Sequence, residues 1–181
     1  MSPAPVVALP PDYREIEHLV VTDHRRLVWL NLLSLLPLLV ATAGVAAWWA
    51  LVVRWRGVVP GTDVPGWLGL LSLLLVLPLH EALHGAAIRW AGHRPRFGAK
   101  LKQGVLYATA DGALFRRDEF VVIALAPLVW ITLLGMGLVV VLPDAIGYWV
   151  SIAVVFNAAS AIGDLWMMAV VLRYPRTALV R

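Results

Sequence analysis

Hydrophobic residues along this chain come in long blocks, not at the alternating or helical spacing of a water-soluble core. Between Arg26 and Arg54 lie 27 residues, 27–53, without a single charge. At about 1.5 Å per residue, a helix of that length crosses about 30 Å of hydrocarbon with some tilt. A second block, 67–88, holds only His80, Glu81 and His84 as ionisable groups, and a third, 120–142, holds none. The fourth, 148–172, carries Asp164 as its one charge. The pattern predicts an all-α membrane protein: four transmembrane helices in 27–172, with tails at 1–26 and 173–181.

The one sizeable segment outside the blocks is 89–119. Within it, Phe97 to Lys102, then Gln103-Gly104, then Val105 to Phe115 place β-branched and aromatic residues around a turn signal. That predicts a small β-hairpin between the second and third helices. The stretch 15–22 has strand-like composition and is a candidate to join it.

Composition sharpens the picture. Hydrophobic residues make up 61% of the chain and charged ones 14%, with a mean hydropathy of +0.81; a soluble domain carries about 25% charged residues. The net charge of +4 does not point to nucleic acid, because the basic residues flank the apolar blocks. Of 15 Lys and Arg, 3 fall in 1–26, 7 in 89–119 and 3 in 173–181, leaving Arg54 and Arg56 in the first loop. Four spans put those three segments on one side, so the positive-inside bias predicts a cell-membrane protein with both termini and the hairpin in the cytoplasm. Trp48, Trp49, Trp55, Trp67, Tyr148 and Trp149 then form a belt at the outer interface. The N-terminus lacks the basic-then-apolar order of a signal peptide. With no cysteine, disulfides are excluded and any metal must take His, Asp or Glu.

The candidate chemistry is His80-Glu81-Ala82-Leu83-His84. Residues four apart share a helix face, so both imidazoles reach one metal ion. Glu81 lies about 60° round from His84, placed to act on a water at that ion. Ionisable groups inside a span cost at least about 2.5–3.5 kcal/mol each and are functional by default. Two histidines leave a site incomplete. The metzincin continuation fails, since its third histidine falls on Trp90. Asp164, His93, Asp111 and Glu119 are the candidates, and depth favours Asp164. His80 stands nine residues before Arg89, and Asp164 nine before Arg173. Two helices running the same way bring both to one level, about 13 Å below the interface. Asn157, Ser160 and Asp164 form a polar stripe on their helix. Pro78 is expected to kink the second span, whereas Pro37 and Pro127 read as ordinary transmembrane prolines.

These motifs (HEALHGAAIRWAG, FGAKL, YATADGALFRRDEF, ALAPLV and NAASAIGD) resemble the bacterial family of multi-pass membrane proteins described as putative zincin peptidases. More distantly, the chain is similar to intramembrane metallopeptidases of the site-2-protease class, in which HExxH lies on one span and an Asp on a later one. The resemblance implies His80, His84 and Asp164 as Zn²⁺ ligands, Glu81 as general base, and Asn157 as a hydrogen-bond donor to the transition state. In the site-2 class a Leu-Asp-Gly order is usual, whereas here Gly163 precedes Asp164 and Leu165 follows it. The expected function is a zinc-dependent endopeptidase acting on a membrane-associated protein or peptide near the cytoplasmic interface. The alternative is a non-catalytic membrane protein that binds metal for structure or regulation.

Overall fold

The computed structural model describes residues 9–17, 24–57, 65–100 and 105–181. Among the described residues, three apolar helices are long enough to cross a membrane: 32 residues from Arg25 to Arg56, then Gly66–Trp90 and Arg117–Val141. The first comprises α1 (His24–Leu33) and α2 (Leu35–Arg56), which meet at Ser34, where the hydroxyl donates to Asn31 O at 2.6 Å. The second is α3 (Gly66–Trp90), continuous through Pro78, and the third is α4 (Arg117–Val141). The protein is thus a multi-span, all-α membrane protein.

The fourth apolar block departs from a single span. It divides into α5 (Asp144–Ser160) and α6 (Ile162–Val171), bent by 42° at Ala161. Just before the break, the Ser160 hydroxyl donates back to Asn157 O at 2.9 Å. The bend turns the first helical turn of α6, which holds Asp164, toward the bundle interior.

Helix ends follow their chemistry. Gly57, at φ 69°, closes α2 in the left-handed conformation that glycine adopts without strain. Arg56 reaches from that end to Asp144 at 2.9 Å and to the carbonyls of Val139 and Val140, joining α2 to the α4–α5 corner. Asp118 and Glu119 occupy the first turn of α4, where carboxylates favour the dipole. Glu119 also accepts from Arg116 N at 2.8 Å.

The bundle packs α3 against α4 and α5, and α2 against α5. Val76, Ile131 and Val154 meet at its centre. Gly135 lets α4 and α5 come close: a Cβ there would stand 2.3 Å from Val154 Cγ2. Outward faces are apolar throughout, with Leu36, Leu39, Val40, Leu70, Leu74 and Leu133 exposed, as a lipid-facing surface requires.

The expected hairpin is present. β1 (Arg96–Lys100) pairs antiparallel with β2 (Val105–Thr109), Phe97 opposite Ala108 and Gly98 opposite Tyr107. Its expected turn, Gln103-Gly104, lies outside the described residues, as do residues 18–22 of the candidate tail strand; 15–17 are described and form no strand. The strand expected to continue from Val105 to Phe115 stops at Thr109, turns at Gly112 (φ 76°), and resumes as β3 (Phe115–Arg116). β3 pairs with β4 (Leu179–Val180), so the C-terminal tail folds back onto the start of α4. Tyr13 donates to Thr177 O at 3.2 Å, Tyr174 to Glu17, and Arg181 meets Glu15 at 2.6 Å. The N-terminal segment, the C-terminal tail and β3 therefore gather at one end of the bundle.

Candidate metal centre

His80 and His84 project from one face of α3 and are both buried. Asp164, from the first turn of α6, meets them. Its Oδ2 is 3.2 Å from His80 Nε2 and its Oδ1 3.4 Å from His84 Nε2, and the two Nε2 atoms are 3.2 Å apart. The groups that share a depth in the sequence share a site in the structure.

The outer bonds of each ring decide what the inner atoms can do. His80 Nδ1 lies 2.8 Å from Asn157 Oδ1, and His84 Nδ1 lies 2.9 Å from Ile123 O. Asn157 Nδ2 donates to Pro127 O at 3.3 Å, which orients the amide with its oxygen toward His80. Both Nδ1 atoms therefore face acceptors and carry the ring protons. In the neutral ring, each Nε2 then offers its lone pair to the space beside Asp164.

Two imidazole Nε2 atoms and a carboxylate thus converge on one point, with the Nδ1 side of each ring turned away to its own acceptor. Such an arrangement repels itself unless a cation sits at the centre. In a tetrahedral site with bonds of about 2.0–2.1 Å, neighbouring ligand atoms stand about 3.3–3.4 Å apart. The observed separations of 3.2, 3.2 and 3.4 Å match that edge. Two nitrogens and one oxygen are the donor types that divalent transition-metal ions take. Among the described residues, His80, His84 and Asp164 form a group able to hold a metal ion.

The other candidates lie elsewhere. His93 stacks edge-on against Phe115 at 4.8 Å, Asp111 pairs with Arg96 at 2.7 Å, and Glu119 caps α4. Asn157, expected to donate to a reacting group, is fully buried with its polar atoms turned to His80 and Pro127. Glu81 is half-buried beside the centre, and its carboxyl interacts with both histidines, with Asp164 and with the backbone of Ala108 in β2. The hairpin reaches it because Gly85, one residue past His84, leaves room for Phe97. A Cβ at Gly85 would stand 2.3 Å from the Phe97 ring.

Residues 73–179 match the family described as putative zincin peptidase, a stretch that holds the whole His80, His84 and Asp164 cluster. The chain belongs to that family. No curated protein and no solved structure matches it. For this zincin-family member, the sequence singled out Asn157 but not its role as acceptor for His80, and it did not disclose the acceptor for His84. A backbone carbonyl such as Ile123 O has no signature of its own, and the available signal was the proline four residues further along α4.

Proposed function

We propose that this protein is a zinc-dependent intramembrane endopeptidase that cleaves a membrane-associated protein or peptide near the cytoplasmic end of the bundle. One observation carries the reading: three converging metal-ligand atoms with a carboxylate, Glu81, beside them on the same helix. His80, His84 and Asp164 would hold the ion. When bound, Zn²⁺ supplies Lewis-acid polarisation of a carbonyl and acidification of water toward neutrality. Glu81 takes the proton from the attacking water and returns it to the leaving amine. Asn157 acts through His80, holding its ring proton on Nδ1.

A helical substrate hides its peptide bonds, so cleavage needs an extended segment. β2 lies next to Glu81 through Ala108 and pairs with β1 on one edge. The hairpin would hold such a segment by strand addition, with backbone hydrogen bonds aligning the scissile bond. The clustering of basic residues at the end that gathers both tails supports a cytoplasmic placement of that end.

Glu81→Gln tests the reading. The variant is expected to keep about one zinc per chain while protein termini generated in membranes by the wild type disappear. If both proteins hold zinc and no new terminus depends on Glu81, the site is a non-catalytic metal site.

A further inference from the structure

We infer that Pro127 is a positioning residue for the metal centre, acting by releasing a main-chain carbonyl that orients His84. In a helix the carbonyl of residue i accepts from the N–H of residue i+4. Ile123 would accept from residue 127, but proline has no N–H, and its ring pushes against the carbonyl four residues back. That carbonyl accepts from His84 Nδ1 at 2.9 Å, across to α3. The proline is fully buried and lies inside α4, which continues past it for fourteen residues to Val141.

The same residue serves the other ligand. Pro127 O accepts from Asn157 Nδ2 at 3.3 Å, and Asn157 Oδ1 in turn accepts from His80 Nδ1 at 2.8 Å. One turn of α4, from Ile123 to Pro127, therefore anchors both imidazoles, one directly and one through an amide. Such outer partners set the tautomer and aim of a ligand ring, and losing one typically costs 10–100-fold in metal affinity. An ordinary transmembrane proline would leave its freed carbonyl to a serine or a water. This one leaves it to a candidate ligand. The inference rests on the proposed metal site but not on proteolysis.

The test is Zn²⁺ affinity of purified full-length protein, measured by competition with a chromophoric chelator. Pro127→Ala restores an N–H that competes for Ile123 O, and is expected to weaken zinc binding 10–100-fold. Alanine is also the better helix former, so the metal-free variant should melt no lower than the wild type. A purely structural proline predicts the opposite pattern, with affinity and stability falling together. Replacing Pro127 by the α-hydroxy acid analogue of alanine keeps the N–H absent, and should restore affinity to within about threefold of wild type. Unchanged affinity in Pro127→Ala, or an equal loss in both replacements, overturns the inference. Should Pro127→Ala not fold, the wild type still decides. In ¹⁵N-histidine spectra of the zinc-loaded protein, the His84 Nδ1 proton must be protected from exchange, and rapid exchange with water refutes the bond. Failure of wild-type protein to bind zinc at all would instead refute the underlying metal site.

Discussion

Asp164→Asn isolates the charge that α6 brings to the two histidines. Asparagine keeps the shape and one oxygen of the side chain but removes the negative charge. In the structure the carboxylate offers a different oxygen to each imidazole nitrogen, at 3.2 and 3.4 Å, with 14% of its side chain exposed. Solvent screening at that site is weak, so the charge acts at close to its buried strength. Removing one partner of a buried charge pair costs about 3–5 kcal/mol. At 1.4 kcal/mol per decade that is roughly two to three and a half orders of magnitude in metal affinity. The assay is a chelator competition titration in detergent, with far-ultraviolet circular dichroism to show that helices persist. A folded Asp164→Asn protein that binds zinc within threefold of wild type would refute the assignment of Asp164 as a ligand.

The two close-approach glycines should separate by what they meet. Gly135→Ala drives a methyl into Val154, itself only 2% exposed, and should destabilise the bundle by about 1–3 kcal/mol in thermal or denaturant unfolding. Gly85→Ala meets the Phe97 ring, which is 60% exposed, so the ring swings aside. Stability and zinc affinity should then hold while protease protection of the hairpin falls; equal destabilisation by both variants would contradict this. At the end where the tails gather, the Glu17 carboxylate that accepts from Tyr174 raises that phenol above its ordinary value. The contribution is present below the unfolded tyrosine pKa of about 10 and is lost as pH rises through the higher folded value. Absorbance titration should show Tyr174 ionising later than free tyrosine, and Glu17→Gln should bring it back down.

How far the sequence could be read depended on how far each signal reached. The first three apolar helices were legible because charge-free runs in lipid have one solution, whereas the fourth block is a bent pair; bringing His80 and Asp164 together needed only two helices running the same way. The hairpin was legible from its composition. β3 and β4 were not, since two-residue strands carry no periodicity and their pairing joins residues 115–116 to 179–180. The bend at Ala161 was hidden because residue 161 carries no helix-breaking side chain, and the serine before it reads equally well as interhelical glue. At the site, side chains announced themselves, whereas the acceptor for His84 is main chain and was visible only as a missing N–H at Pro127.

The separation of the two ligand helices along the chain has a mechanical consequence. His80 and Asp164 are 84 residues apart, and α4 and α5 lie between them. An ion bonded to both would act as a cross-link in a chain that has no cysteine to make one. By loop-closure arithmetic, a link across 84 residues is worth at most about 4.6 kcal/mol, and less in a bilayer, where unfolded spans remain helical. Because the link fastens α6 below its bend, the ion would hold the hinged end of the fourth span against α3. Stripping the metal would loosen that end first, leaving the contacts of α3, α4 and α5 around Val76, Ile131 and Val154 to hold the rest together.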